Sequence, residues 1–126
     1  MNTPIPQPNS VYRARPLRVI DGDTIICLID NGFRNREEHS IRLIGVFTPE
    51  INKGTEVERD KGLFARSEVQ EWIWQAESRS PLVAWPLIIQ TEMDKQTFNR
   101  YIGRIWSLAS GDCLNDWLIG KGYGPK

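Results

Sequence analysis

The chain has 126 residues, 40% of them apolar and 25% charged, and its 16 basic residues balance 16 acidic ones. That length fits one domain, able to bury about two-thirds of its unfolded surface without a staple. A net charge of zero excludes a strongly basic nucleic-acid binder, so any hold on a polyanion has to be local.

Residues 1–10 contain three prolines and no period, and they predict a disordered arm ahead of a single domain over 11–126. The arm lacks the basic and apolar regions of a secretory signal, and no apolar run approaches the roughly 20 residues of a membrane span. The expectation is a cytoplasmic protein with no membrane partner, most simply a monomer. Residues 12–20 read as a strand, with Pro16 marking an edge or a bulge. Asp21-Gly22 is a turn. The unbroken apolar run Ile25 to Ile29 predicts a strand buried on both faces, with Cys27 as a small core residue. Cys27 and Cys113 are too few for a disulfide framework or a structural zinc site, which points to a reduced compartment. Asp30-Asn31-Gly32 reverses the chain, residues 34–39 form an exposed loop or ragged hairpin tip, and residues 41–46 alternate as a third strand.

Thr48-Pro49-Glu50 breaks that strand, and residues 52–60 look loop-like. Ala65, Val69, Trp72, Ile73 and Ala76 recur at helical spacing, predicting an amphipathic helix over about residues 60–76. Residues 82–90 and 101–108 read as two more strands joined by a polar segment. Ser110-Gly111 is a turn, Asp112 caps a short helix striped by Leu114, Trp117 and Leu118, and Gly122 ends it. Three strands, a helix, two strands and a helix predict a mainly β (α+β) fold: a five-stranded OB-type Greek-key β-barrel with two packed helices.

Four segments carry the chemistry: Val19 to Thr24, holding Asp21-Gly22-Asp23-Thr24; Ile41 to Glu50, holding Arg42 and Thr48-Pro49-Glu50; Phe98-Asn99-Arg100-Tyr101; and Leu114 to Leu118 with Gly122. Singly, each has a plainer reading. Asp-Gly-Asp makes a turn, Arg42 pairs with a carboxylate, and tryptophans pack a core or its rim. Together, in this order, they resemble the staphylococcal nuclease (thermonuclease) family over roughly residues 11–124. The resemblance implies that Asp23 and the backbone carbonyl of Thr48 hold calcium, with Asp21 behind them out of direct contact. It implies that Arg42 and Arg100 grip the phosphate and that Glu50 serves as general base or orients the attacking water. Arg104 is the alternative place for the second arginine, and Arg104 and Tyr101 are expected to touch substrate.

These residue types suit phosphodiester hydrolysis. Two guanidiniums clamp the developing negative charge, a hard cation polarises the phosphoryl oxygen, and a carboxylate activates water. The chain departs from the family at Phe47, where an aspartate that ligates calcium is expected. It also carries Asn99 in place of a glycine, and it has no counterpart of the family's third helix or of the tyrosines that precede it.

The leading expectation is a calcium-dependent endonuclease of low sequence specificity, acting on DNA and also RNA and leaving a 3′-phosphate, with Mg2+ or Mn2+ as substitute metals. Its rival is a catalytically impaired module of the same shape that binds nucleic acid or a protein partner.

Overall fold

The computed structural model describes residues 3–5, 10–80, 82–93 and 101–125. Five strands close a barrel in the order β1-β2-β3-β5-β4. They are β1 (Val11–Asp21), β2 (Thr24–Asp30), β3 (Arg36–Leu43), β4 (Leu87–Met93) and β5 (Tyr101–Ser107), and all neighbours are antiparallel except β3 and β5. The predicted OB-type barrel with two helices is the observed fold. Pro16 sits where the β1–β2 register shifts, as a residue without an N–H must. Ile25, Cys27 and Ile29 fill the barrel while their neighbours in β2 are half-buried, and Ala14, Ile41, Leu43, Leu87, Ile89 and Ile105 complete the interior. Burial pushes the Cys27 thiol up to about 12, the state of an inert core residue.

Several boundaries differ from the sequence reading. Residues 36–39 belong to β3, not to a loop, because each pairs with β2 in an unbroken ladder that ends at Asp30 and Arg36. The reversal is confined to Asn31–Asn35, where Phe33 and Arg34 both take positive φ. Strand β3 stops at Leu43, because the chain turns at Gly45 with φ 74°. Residues 82–86 precede β4 and lie outside any strand; Pro86 lacks the N–H that a ladder uses. Strand β4 instead runs on to Met93, opposite Tyr101.

Helix α1 (Glu56–Ser78) starts four residues before the expected point. Thr55 caps it by accepting from the Glu58 N–H, and its hydroxyl also meets the Glu58 carboxylate at 3.3 Å. Residues 56–60 therefore belong to the helix, with Glu56 and Glu58 in its first turn, where acidic side chains suit the positive end of the helix dipole. Gly62, Ala65, Val69, Ile73 and Ala76 are its buried stripe, with Trp72 partly buried against the core. Helix α2 (Leu114–Leu118) begins after Cys113 rather than Asp112, and no side chain caps it. It continues as a wider turn over Ile119–Tyr123, which Gly122 breaks at φ 101°. No helix among the described residues is long and apolar enough to cross a membrane. The expected N-terminal arm falls largely on residues outside the described ones.

Candidate functional site

The Asp21–Thr24 turn joins β1 to β2, and the chain leaves β3 beside it, since the Leu43 N–H donates to the Asp23 carbonyl at 2.8 Å. Gly22 is buried between the segment after β3 and helix α1. A Cβ there would stand 2.7 Å from the Thr48 methyl and 3.0 Å from Ala65. Gly62 does the same one turn earlier, where a Cβ would meet the Pro49 carbonyl at 2.7 Å and that of Glu50 at 3.0 Å. Two glycines thus let the helix press Thr48-Pro49-Glu50 against the Asp-Gly-Asp turn. Only a residue without a side chain permits that approach.

Arg42 leaves the half-buried outer face of β3, level with Thr24 of β2 and Ile102 of β5. Both Nη1 donors are spent on backbone, at 2.8 Å to the Leu43 carbonyl and 2.9 Å to that of Val46. Nη2 lies 3.6 Å from Asp23 Oδ2, and Asp23 Oδ1 accepts from the Thr24 hydroxyl at 2.9 Å. The guanidinium is therefore pinned along one edge, with its Nε and Nη2 donors making no hydrogen bond among the described residues. The Phe47 ring lies against it, with its centroid 5.4 Å from the guanidinium carbon. Phe47 itself is held through its N–H to the Tyr123 carbonyl, and the Tyr123 hydroxyl and Lys121 both bind Glu68 of α1 at 2.8 Å. Burial works against charge on Glu68, but those two partners outweigh it and hold its carboxyl below the usual range.

Asp21 is the carboxylate whose charge the site opposes. Burial, then the negative fields of Asp23 and Glu50, raise its pKa against the opposing pull of Arg42 and Arg66. Its Oδ1 and the Thr48 hydroxyl oxygen are buried with no hydrogen-bond partner among the described residues. Glu50 is exposed, and its carboxylate lies 3.8 Å from the Lys53 ammonium. Asp21, Asp23, Arg42, Thr48 and Glu50 thus lie at one end of the barrel.

Compared with known proteins, the chain matches no protein-family model, and no curated protein matches it.

The oxygen donors here, two orphaned and buried, are of the type a hard cation takes. Among the described residues, however, no three His, Cys, Asp or Glu side chains are grouped to hold a metal. With Phe47 beside Arg42, a cation would rest on Asp23, the Thr48 carbonyl and solvent, with Asp21 behind. That set fits a weakly held ion.

Arg100 lies outside the described residues. Tyr101 turns to the inner side of the barrel, where its ring meets His39 edge-on at 5.1 Å, with Tyr12 and Thr91 lining the same cleft. It is not brought to Arg42, which faces outward. Arg104 is half-buried and opposes Gln90 on β4.

Sequence reasoning assigned no role to Asn115. It is fully buried, donates to the carbonyls of Ile44 and Gly103 at 2.9 and 3.0 Å, and accepts from the Ile105 N–H at 3.1 Å. It ties α2 to β5 and to the turn that carries the Arg42 partners. The signal was an asparagine in an apolar helix stripe, a residue that burial obliges to find partners.

Proposed function

We propose that this protein is a metal-assisted nucleic-acid phosphodiesterase, an endonuclease of low sequence specificity acting on DNA and RNA. One observation carries the reading: Asp21 lies in the fields of Asp23, Glu50 and Arg42, residues from two separate segments, at a spot where two buried oxygens have no hydrogen-bond partner among the described residues. A bound divalent cation, calcium first and magnesium or manganese as substitutes, would supply charge neutralisation at the phosphoryl oxygen. Arg42 binds the phosphate through the donors it does not spend on backbone, and its pinned edge fixes the guanidinium before substrate arrives. The exposed Glu50 carboxylate accepts a proton from the attacking water.

A plasmid-nicking assay with and without each cation tests this. Arg42→Ala is expected to slow cleavage by about 10²–10³, the loss typical of a group that stabilises transition-state charge. Arg42→Lys keeps the charge but loses the two-pronged grip and should recover only part of it. Cleavage at the wild-type rate by folded Arg42→Ala would refute the reading.

The second reading, a binding module without catalysis, is favoured by the Phe47 ring lying where a carboxylate is expected and by the lack of a three-ligand cluster among the described residues. Binding of nucleic acid with no cation-dependent cutting would select it.

A further inference from the structure

A chain without net charge needs a local arrangement to hold a polyanion, and the outer face of β1, β2 and β3 has one. Arg13, Arg15 and Arg18 of β1 oppose Asp30, Leu28 and Ile26, the members of β2 that alternate with the buried Ile25, Cys27 and Ile29. All three arginines therefore point outward. Arg36 and Arg42 mark the two ends of the same face on β3, opposite Asp30 and Thr24. The six residue steps from one to the other span about 20 Å of extended strand. Two acids interrupt the stripe. Asp30 is bound by Arg13 at 2.7 Å and lies in the field of Arg36 as well, and Glu38 is exposed opposite Leu28.

Trp85, just before β4, adds an aromatic to this face. The guanidinium carbons of Arg15 and Arg36 lie 5.4 and 5.5 Å from its ring centroid. Neither arginine is in an ion pair among the described residues. One ring thus gathers two like charges, an arrangement that an anion completes. A guanidinium lying on a ring is held in orientation while its N–H groups remain free for phosphate oxygens. An indole also offers a base a face to stack on, whatever its identity.

We propose that this face, from Arg36 and Trp85 to Arg42, is a track for a single-stranded polynucleotide, leading its backbone to the Arg42 site. The proposal rests on reading that site as a phosphodiester site. A single strand is the partner that fits, because a duplex keeps its bases stacked inside, out of reach of Trp85.

The test is fluorescence anisotropy of a labelled oligothymidylate of about 12 nucleotides, within the span one OB barrel covers. The full chain is used with chelator present, so that nothing is cut, over a series of salt concentrations. The Arg15→Ala, Arg36→Ala double variant is expected to bind at least tenfold more weakly. Its log affinity against log salt should flatten by about 1.4, because each single-strand phosphate left without its arginine removes about 0.7 from the slope. Trp85→Ala should weaken binding about tenfold and Trp85→Phe much less. Glu38→Gln should tighten it, a gain that misfolding does not produce. Failure of the wild type to bind at low salt, or unchanged affinity and slope in a double variant that melts like wild type, overturns the proposal. If those unchanged variants still cut plasmid, the track alone falls. If the track variants weaken binding but the wild type cuts nothing, the track stands and the catalytic reading falls.

Discussion

Replacing Phe47 with aspartate tests the site at its point of departure from the nuclease pattern. The ring is 56% exposed, so little apolar burial is removed, unlike the 1.5–3 kcal/mol or so of a fully buried phenylalanine. Its contact with Arg42 is worth about 0.5–1 kcal/mol at an exposed position. A carboxylate in its place faces the same guanidinium and returns about 0.2–1 kcal/mol. Stability should therefore change by less than about 1 kcal/mol, which keeps the experiment interpretable. The added charge stands next to Thr48 in the chain and beside the Arg42 guanidinium. Cation affinity follows the number of carboxylates, and calcium should bind at least about tenfold more tightly. That is about 1.4 kcal/mol, more than the competing pull of Arg42. Calorimetric calcium titration of wild type and Phe47→Asp reads the affinity directly. A cleavage assay at limiting calcium should rise in parallel, and Glu50→Gln in the same background should abolish the gain. A variant that melts like wild type but binds no more calcium would show that Phe47 does not stand at a ligand position. Calcium binding without cutting would hand the site to the binding-module reading.

Asp21 and Asn115 offer two further tests. Because the folded state raises the Asp21 pKa, burial first and Asp23 and Glu50 next, the charged form costs stability. That cost is absent below the unfolded value of about 3.9, appears as pH rises through the raised folded value, and is complete above it. Asp21→Asn should therefore melt higher than wild type at pH 7, with the difference fading towards pH 4; a variant less stable at pH 7 would contradict the assignment. Asn115→Ala strands the Ile44 carbonyl and the Ile105 N–H, while the Gly103 carbonyl keeps the Ile44 N–H. At about 1–3 kcal/mol for each unsatisfied buried group, urea denaturation should report a loss of at least about 2 kcal/mol, and a loss under about 1 kcal/mol would mean that the lost bonds are replaced.

Whatever depends on near neighbours along the chain was legible in the sequence. The apolar run of β2, the bulge at Pro16, the stripe of α1 and the stop at Gly122 all follow from side-chain period and backbone restriction within a few residues. The start of α1 was legible too, since Thr55 and Glu58 have capping-box spacing, but the charged run around them resembles a loop. Contacts between distant segments decided the rest. Residues 36–39 have no apolar alternation, and only pairing with β2 makes them strand. The exposure of Phe47, the inward turn of Tyr101 and the three bonds of Asn115 depend on how the barrel closes and where α2 lands. The Asp23–Arg42 contact depends on register between β2 and β3, which a one-residue slip would reverse face for face. Sequence patterns specify which residues want to be buried. Which outward residues then become neighbours is set by strand register and barrel closure, and that is where the site was made.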